Sequence, residues 1–141
     1  MSDANEVARA VVARMLAKDA YSQWLGVELV EIAAQRAVIR MTVREEMVNG
    51  FGVAHGGIVF GLADSAHAFA VNSNGEITVA IDCSIGYPAA IRTGDVLTAT
   101  AVEQSASNKL SYTDVTVKNQ FGTVVGLFRG TAYKTQKPLP A

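Results

Sequence analysis

Residues 56–72 carry Ile58, Phe60, Leu62, Ala63, Ala66, Phe69, Ala70 and Val71, with few polar residues among them. A helix that is apolar all round has to be covered on nearly every side, so this segment predicts a central, nearly buried helix. The rest of the chain must supply the cover.

Alternation of period two supplies it. Ala37, Ile39, Met41 and Val43 alternate with Val38, Arg40, Thr42 and Arg44, which reads as a half-buried strand within a strand region that begins at Val27. Ile77 to Tyr87 alternates in the same way and stops at Pro88. Three more strands, 95–104, 109–118 and 123–133, are separated by Ser105-Ala106-Ser107-Asn108 and Asn119-Gln120-Phe121-Gly122, both with hairpin-turn chemistry. Residues 3–18 have helical period, with Val7, Val11 and Met15 four apart and Asp3 and Glu6 placed to cap the start. A short apolar turn around Tyr21, Trp24 and Leu25 ends at Gly26, and 136–141, with Pro138 and Pro140, reads as a frayed tail.

The expected fold is therefore α+β: an antiparallel sheet wrapped around one long helix, with an N-terminal helical segment at 1–25. A chain of 141 residues, 50% hydrophobic, suits one such core, so 1–141 is expected to be a single domain. With a net charge of -1 there is no basic field to hold nucleic acid or an anionic membrane. The start of the chain lacks the apolar run of a signal peptide, and no stretch approaches membrane-spanning length. Cys83 is the single cysteine, which excludes an intrachain disulfide, rules against a cysteine-based zinc site and fits a reducing compartment; the expected location is the cytoplasm.

Chemistry concentrates at Asn49-Gly50-Phe51-Gly52-Val53-Ala54-His55-Gly56-Gly57, where four glycines fall in nine residues just before the apolar helix. Glycines at a helix start let a ligand approach the unpaired N–H groups, where the helix dipole favours negative charge. The plainer reading is that Gly56 and Gly57 only turn the loop into the helix, with His55 hydrogen-bonding locally. The segment matches neither the phosphate-loop nor the dinucleotide pattern.

Asp64 is the second signal. A carboxylate among Leu62, Ala63, Ala66 and Phe69 costs several kcal/mol to bury unless it is compensated. It suits a base or nucleophile; alternatively it caps a helix that starts later, or pairs with His67 three residues on. A metal held by His55, Asp64 and His67 is disfavoured, because twelve helical residues put the two histidines about 18 Å apart. No metal or cofactor is expected. Similarly, Gly56 and Asp64 lie about 12 Å apart along one helix. A single carbonyl that touches both must draw Gly56 from one subunit and Asp64 from another.

Asn49-Gly50, His55-Gly56-Gly57, Leu62-Ala63-Asp64-Ser65-Ala66, Gly94-Asp95-Val96-Leu97 and Leu127-Phe128-Arg129-Gly130, in this order, resemble the PaaI-type acyl-CoA thioesterases of the hotdog-fold superfamily, over about Ala20 to Tyr133. The resemblance implies a five- to six-stranded sheet around the central helix, homodimers with intersubunit sites, often paired into tetramers, and hydrolysis of acyl-CoA, above all phenylacetyl-CoA and its ring-hydroxylated relatives. By position it assigns Gly56 as the oxyanion donor and Asp64 as nucleophile or general base. It implies that His55 and Asn49 shape and polarise the site and that Ser65 stands beside the acid in the catalytic set; Gly57, His67 and Arg92 are the candidate substrate-binding residues.

Two departures stand out: His67 replaces a common aromatic residue, and Ala89 stands where relatives often carry an Arg near the CoA entrance. Arg92 is the candidate replacement. A hotdog enoyl-thioester hydratase or dehydratase using His55 or His67 with Asp64, and a non-catalytic acyl-thioester-binding module, remain the competing readings.

Overall fold

The computed structural model describes residues 3–140; Met1, Ser2 and Ala141, at the ends of the expected 1–25 and 136–141 segments, lie outside the described residues. Asp3 caps α1 (Ala4–Lys18), its carboxylate accepting from the N–H of Asn5 at 2.6 Å and of Glu6 at 3.2 Å. Asp19 caps α2 (Ala20–Leu25), which ends at Gly26 in the left-handed region (φ 79°), where a glycine carries no steric cost.

Strands β1 (Glu28–Ala33) and β2 (Arg36–Thr42) form a hairpin. The long helix α3 spans Gly56–Val71. It is followed by β3 (Glu76–Gly86), β4 (Val96–Ala106), β5 (Leu110–Lys118) and β6 (Val124–Pro138). All neighbours are antiparallel in one six-stranded sheet ordered β1-β2-β4-β5-β6-β3.

The sheet curls around α3. Leu62, Ala63, Ala66 and Ala70 of the helix and Ala37, Ile39, Met41, Leu97, Ala99, Ala101, Val115 and Val117 of the strands are fully buried. The alanines on both sides let helix and sheet approach closely, and the larger residues fill the remaining space. Each buried Leu or Ile adds about 1.5–3 kcal/mol, and Leu62→Ala would cost about 2–5 kcal/mol.

The chain's end differs from the sequence reading. Instead of fraying after 135, β6 runs to Pro138, which pairs with Glu76. Thr135 donates from Oγ1 to the Ile77 carbonyl at 2.6 Å, and Leu139 N–H donates to the Gly75 carbonyl at 2.8 Å. The cause is β3, which begins early enough to partner this polar stretch through a bulge, with Gln136 at φ 63°. On its other side β3 is an edge that no strand among the described residues pairs, with Val79 and Ile81 exposed.

Candidate active site

The loop before α3 closes on itself. Val48 bridges to Ala54, and the Asn49 side-chain oxygen accepts from the N–H groups of Phe51 (2.9 Å) and Val53 (3.3 Å). Asn49 thus shapes this loop, as an Asx turn does. His55 caps the helix: its Nδ1 accepts from Gly57 N–H at 3.2 Å, its carbonyl from Ile58 N–H at 2.9 Å, and its own N–H donates to the Met47 carbonyl at 2.8 Å. The local role foreseen for His55 is therefore real, and Gly57 has its N–H committed to that cap. Gly56 N–H takes part in none of these bonds. Among the described residues it is an orphan donor at the positive end of a sixteen-residue helix.

Tyr87 covers Gly56. Its hydroxyl donates to the Gly56 carbonyl at 3.1 Å, and a β-carbon on Gly56 would lie 3.2 Å from the ring's Cζ. Gly56 also opens onto a groove of about 370 Å³ shared with Val59, Tyr87, Pro88, Ala89, Ile91 and Val125. Arg92 is the residue after Ile91; it is exposed, and its backbone N–H is fixed by the Asp95 carboxylate at 2.9 Å.

Asp64 lies two turns into α3, so it is no N-cap. It shares a stripe at four-residue spacing with Gly56, Phe60 and Ala68, the residues of α3 that are only half-buried between flanks of fully buried ones. Burial raises its pKa above the ordinary carboxylate value, and the Asp19 carboxylate pushes the same way. Asp64 in turn adds to the burial that raises the pKa values of the Tyr21 phenol and the Cys83 thiol. A carboxylate that holds its proton more tightly than usual is a stronger base once ionised.

Ser65 is buried, its hydroxyl 2.8 Å from that of Ser22. Ser22 donates to the Asp19 carboxylate at 2.6 Å, so the Ser65 hydroxyl is the donor to Ser22, and the chain of three ties α2 to α3. In this chain Ser65 anchors α2. His67 is 1% exposed, and burial lowers its pKa to about 4, leaving a neutral imidazole at neutral pH. Its Nε2 is buried without a hydrogen-bond partner among the described residues. No hydrogen bond joins it to Asp64 among the described residues, so the expected alternative of a structural Asp64–His67 pair does not form.

His55, at the start of α3, and His67, beyond Asp64, do not converge on an ion. The sheet instead brings Cys83 to the pair: the ligand atoms of Asp64, His67 and Cys83 lie within 4.8 Å of one another. The expectation of no cysteine-based zinc site rested on the count of one cysteine, and that of no compact ligand set on the histidine spacing along one helix; neither brought Cys83 of β3 beside α3. Tyr21 and Tyr87 were likewise missed. The inward place of Cys83 between Ile81 and Ile85, and Pro88 closing the strand just after Tyr87, were the available signals.

An antiparallel sheet wrapped around one long central helix is the hotdog arrangement. Residues 51–125 match the thioesterase superfamily model. Acyl-coenzyme A thioesterase PaaI of Escherichia coli K12 is 38% identical over 120 residues, covering 85% of this chain and 86% of that protein. The solved E. coli PaaI structure superposes with a TM-score of 0.95 at 33% identity, covering 98% of this chain and all of that one. A hypothetical thioesterase protein of Streptococcus pneumoniae TIGR4, solved with coenzyme A, superposes at 0.77 with 28% identity over 79% of this chain and 88% of its own. The chain belongs to the thioesterase superfamily, among its PaaI-type acyl-CoA thioesterases.

Proposed function

We propose that this chain hydrolyses acyl-CoA thioesters in the cytoplasm, with phenylacetyl-CoA or a ring-hydroxylated phenylacetyl-CoA as the preferred substrate. The observation that carries the reading is the free Gly56 N–H on the same half-open stripe of α3 as Asp64. The thioester oxygen accepts from Gly56 N–H, and negative charge developing there meets a donor already aligned by the helix start. Asp64, ionised and poorly solvated, attacks the carbonyl carbon or takes a proton from the attacking water, and the C–S bond breaks to release CoA. Phe60, between the two on the stripe, and Tyr87, above Gly56, give the acyl group aromatic neighbours. The E. coli PaaI protein, from a phenylacetic acid degradation operon, points the same way.

Gly56 and Asp64 of one helix are about 12 Å apart, so the site is shared by two copies in a homodimer, with two dimers forming a tetramer. The unpaired β3 edge with its exposed Val79 and Ile81 is a surface on which a second sheet can continue. Arg92, beside the groove at Gly56, is assigned to the CoA phosphates.

The test is a panel of aromatic and aliphatic acyl-CoA thioesters followed by thiol release. Fastest release from the phenylacetyl thioesters is expected. Release confined to aliphatic chains overturns the substrate, and water added to an enoyl thioester with the C–S bond intact overturns the reaction.

A further inference from the structure

Cys83 of β3 pairs with Gly130 of β6, and Gly130 has no side chain to fill the space above it. His67 occupies that space, and Asp64 precedes it by one turn on the same helix. A thiol, an imidazole and a carboxylate, each with one ligand atom, are thereby gathered within 4.8 Å of one another. Bonds of about 2.0–2.3 Å to a tetrahedral ion place ligand atoms roughly 3.5 Å apart, so small side-chain rotations close the set. A second observation points to a ligand: His67, 1% exposed, has a buried Nε2 with no partner among the described residues. Leaving such an atom unpaired is costly, and a bond to it would remove that cost.

We propose that Asp64, His67 and Cys83 form a binding site for a thiophilic divalent cation, Zn2+ foremost, and that the ion inhibits the enzyme by occupying the Asp64 carboxylate. Sulfur with imidazole and one carboxylate selects such ions over Mg2+ and Ca2+, which prefer all-oxygen shells. Burial keeps the imidazole neutral and free to donate its lone pair. Asp64 and Cys83 are only half-buried, which leaves a route in from solvent. On binding, the Cys83 thiol loses its proton to solvent as the metal–sulfur bond forms, and three protein ligands leave a fourth position for water. The inhibition rests on the proposed role of Asp64 in hydrolysis; the binding does not.

Binding is read first, with Co2+ as a spectroscopic probe in the metal-free full-length protein. A thiolate-to-cobalt charge-transfer band saturating at one ion per chain, and displaced by Zn2+, is expected. Cys83→Ala should abolish the band and weaken Zn2+ binding by about a hundredfold or more, the upper end of what losing even a supporting group outside the ligand set costs. His67→Gln is the second variant and should weaken binding comparably. Circular dichroism checks that both are folded.

Inhibition is followed by loss of thioester absorbance, because the released CoA thiol itself binds Zn2+, with each variant normalised to its own metal-free rate. Zn2+ should inhibit the unmodified enzyme, EDTA should restore it, and Cys83→Ala should resist. Absence of the charge-transfer band, or equal Zn2+ affinity in Cys83→Ala, overturns the site. The band without inhibition supports the site and overturns the role of Asp64 instead.

Discussion

The His67 imidazole lies so close over Gly130 that a β-carbon there would fall 2.6 Å from Nδ1 and 2.7 Å from Nε2. The ring is buried and its partner is backbone, so a β-carbon there would force one of the two to shift. Gly130→Ala should therefore destabilise the protein by about 1–3 kcal/mol, the usual cost of overpacking. Urea denaturation of Gly130→Ala, His67→Ala and the double variant checks it: the double variant should lose less than the sum of the singles. Strict additivity would mean that the two residues do not compete for this space.

Burial sets a pH dependence through the same ring. His67 has a folded-state pKa of about 4 against the ordinary 6.5. Between these values the unfolded chain binds a proton that the folded chain refuses, so stability is lost as pH falls through that window. About 2 kcal/mol of the His67 contribution should go between about pH 7 and about pH 5. Asp64 has the opposite sign: its raised pKa makes the folded state bind its proton more tightly, which offsets part of the loss in the carboxylate range. Denaturation midpoints of the unmodified protein should fall over this interval more than those of His67→Gln. Parallel falls would assign the loss to other groups.

Asp64→Asn keeps the shape and removes the proposed base or nucleophile, and should lower kcat by about a hundredfold or more. In the unmodified enzyme the acid limb of kcat/KM should lie above the ordinary carboxylate range, since burial and Asp19 both raise the Asp64 pKa. A full rate in the Asn variant refutes the assignment, and an acid limb at the ordinary value removes Asp64 as the titrating group.

Much of this was legible in the sequence because the hydrophobic pattern carries it. The all-round apolar segment gave α3 to within a residue, and period-two alternation located the sheet strands. The end of β6 was not legible, since Lys134, Thr135 and Gln136 are polar and only the length of β3 keeps them in the sheet. At the site, Gly56, His55 and Asp64 could be placed because their helix is local. Cys83 and Tyr21 reach Asp64 through packing of β3 and α2 on α3, and no spacing along the chain encodes that. The burial of the Ser65 hydroxyl against Ser22, 43 residues away, was hidden for the same reason.

Arg92→Ala tests the nucleotide contact. Arg92 is exposed and follows Ile91 of the groove at Gly56, and position 89 carries alanine. Its loss should raise KM for CoA thioesters more than it changes kcat, and should leave a pantetheine thioester, which lacks the nucleotide, unaffected. Equal loss with both substrates would remove the phosphate role.

Sharing of the site between subunits is tested by mixing two inactive variants. Gly56→Pro deletes the proposed donor N–H, and the local backbone accepts it: position 56 opens the helix, where proline is favoured, and His55 at φ −62°, ψ 135° already has the extended conformation that a residue before proline adopts. No hydrogen bond of the loop is lost, because Gly56 N–H makes none there; Tyr87 must shift by a few tenths of an ångström. In a dimer of one Gly56→Pro subunit and one Asp64→Asn subunit, one site keeps Gly56 from the second and Asp64 from the first, while the other site loses both. Differently tagged subunits, refolded together and purified as hybrids, should recover about half the activity of the unmodified dimer, while each parent stays near zero. Folded hybrids without any recovery would mean that one chain supplies both groups, and the two-subunit site would fall.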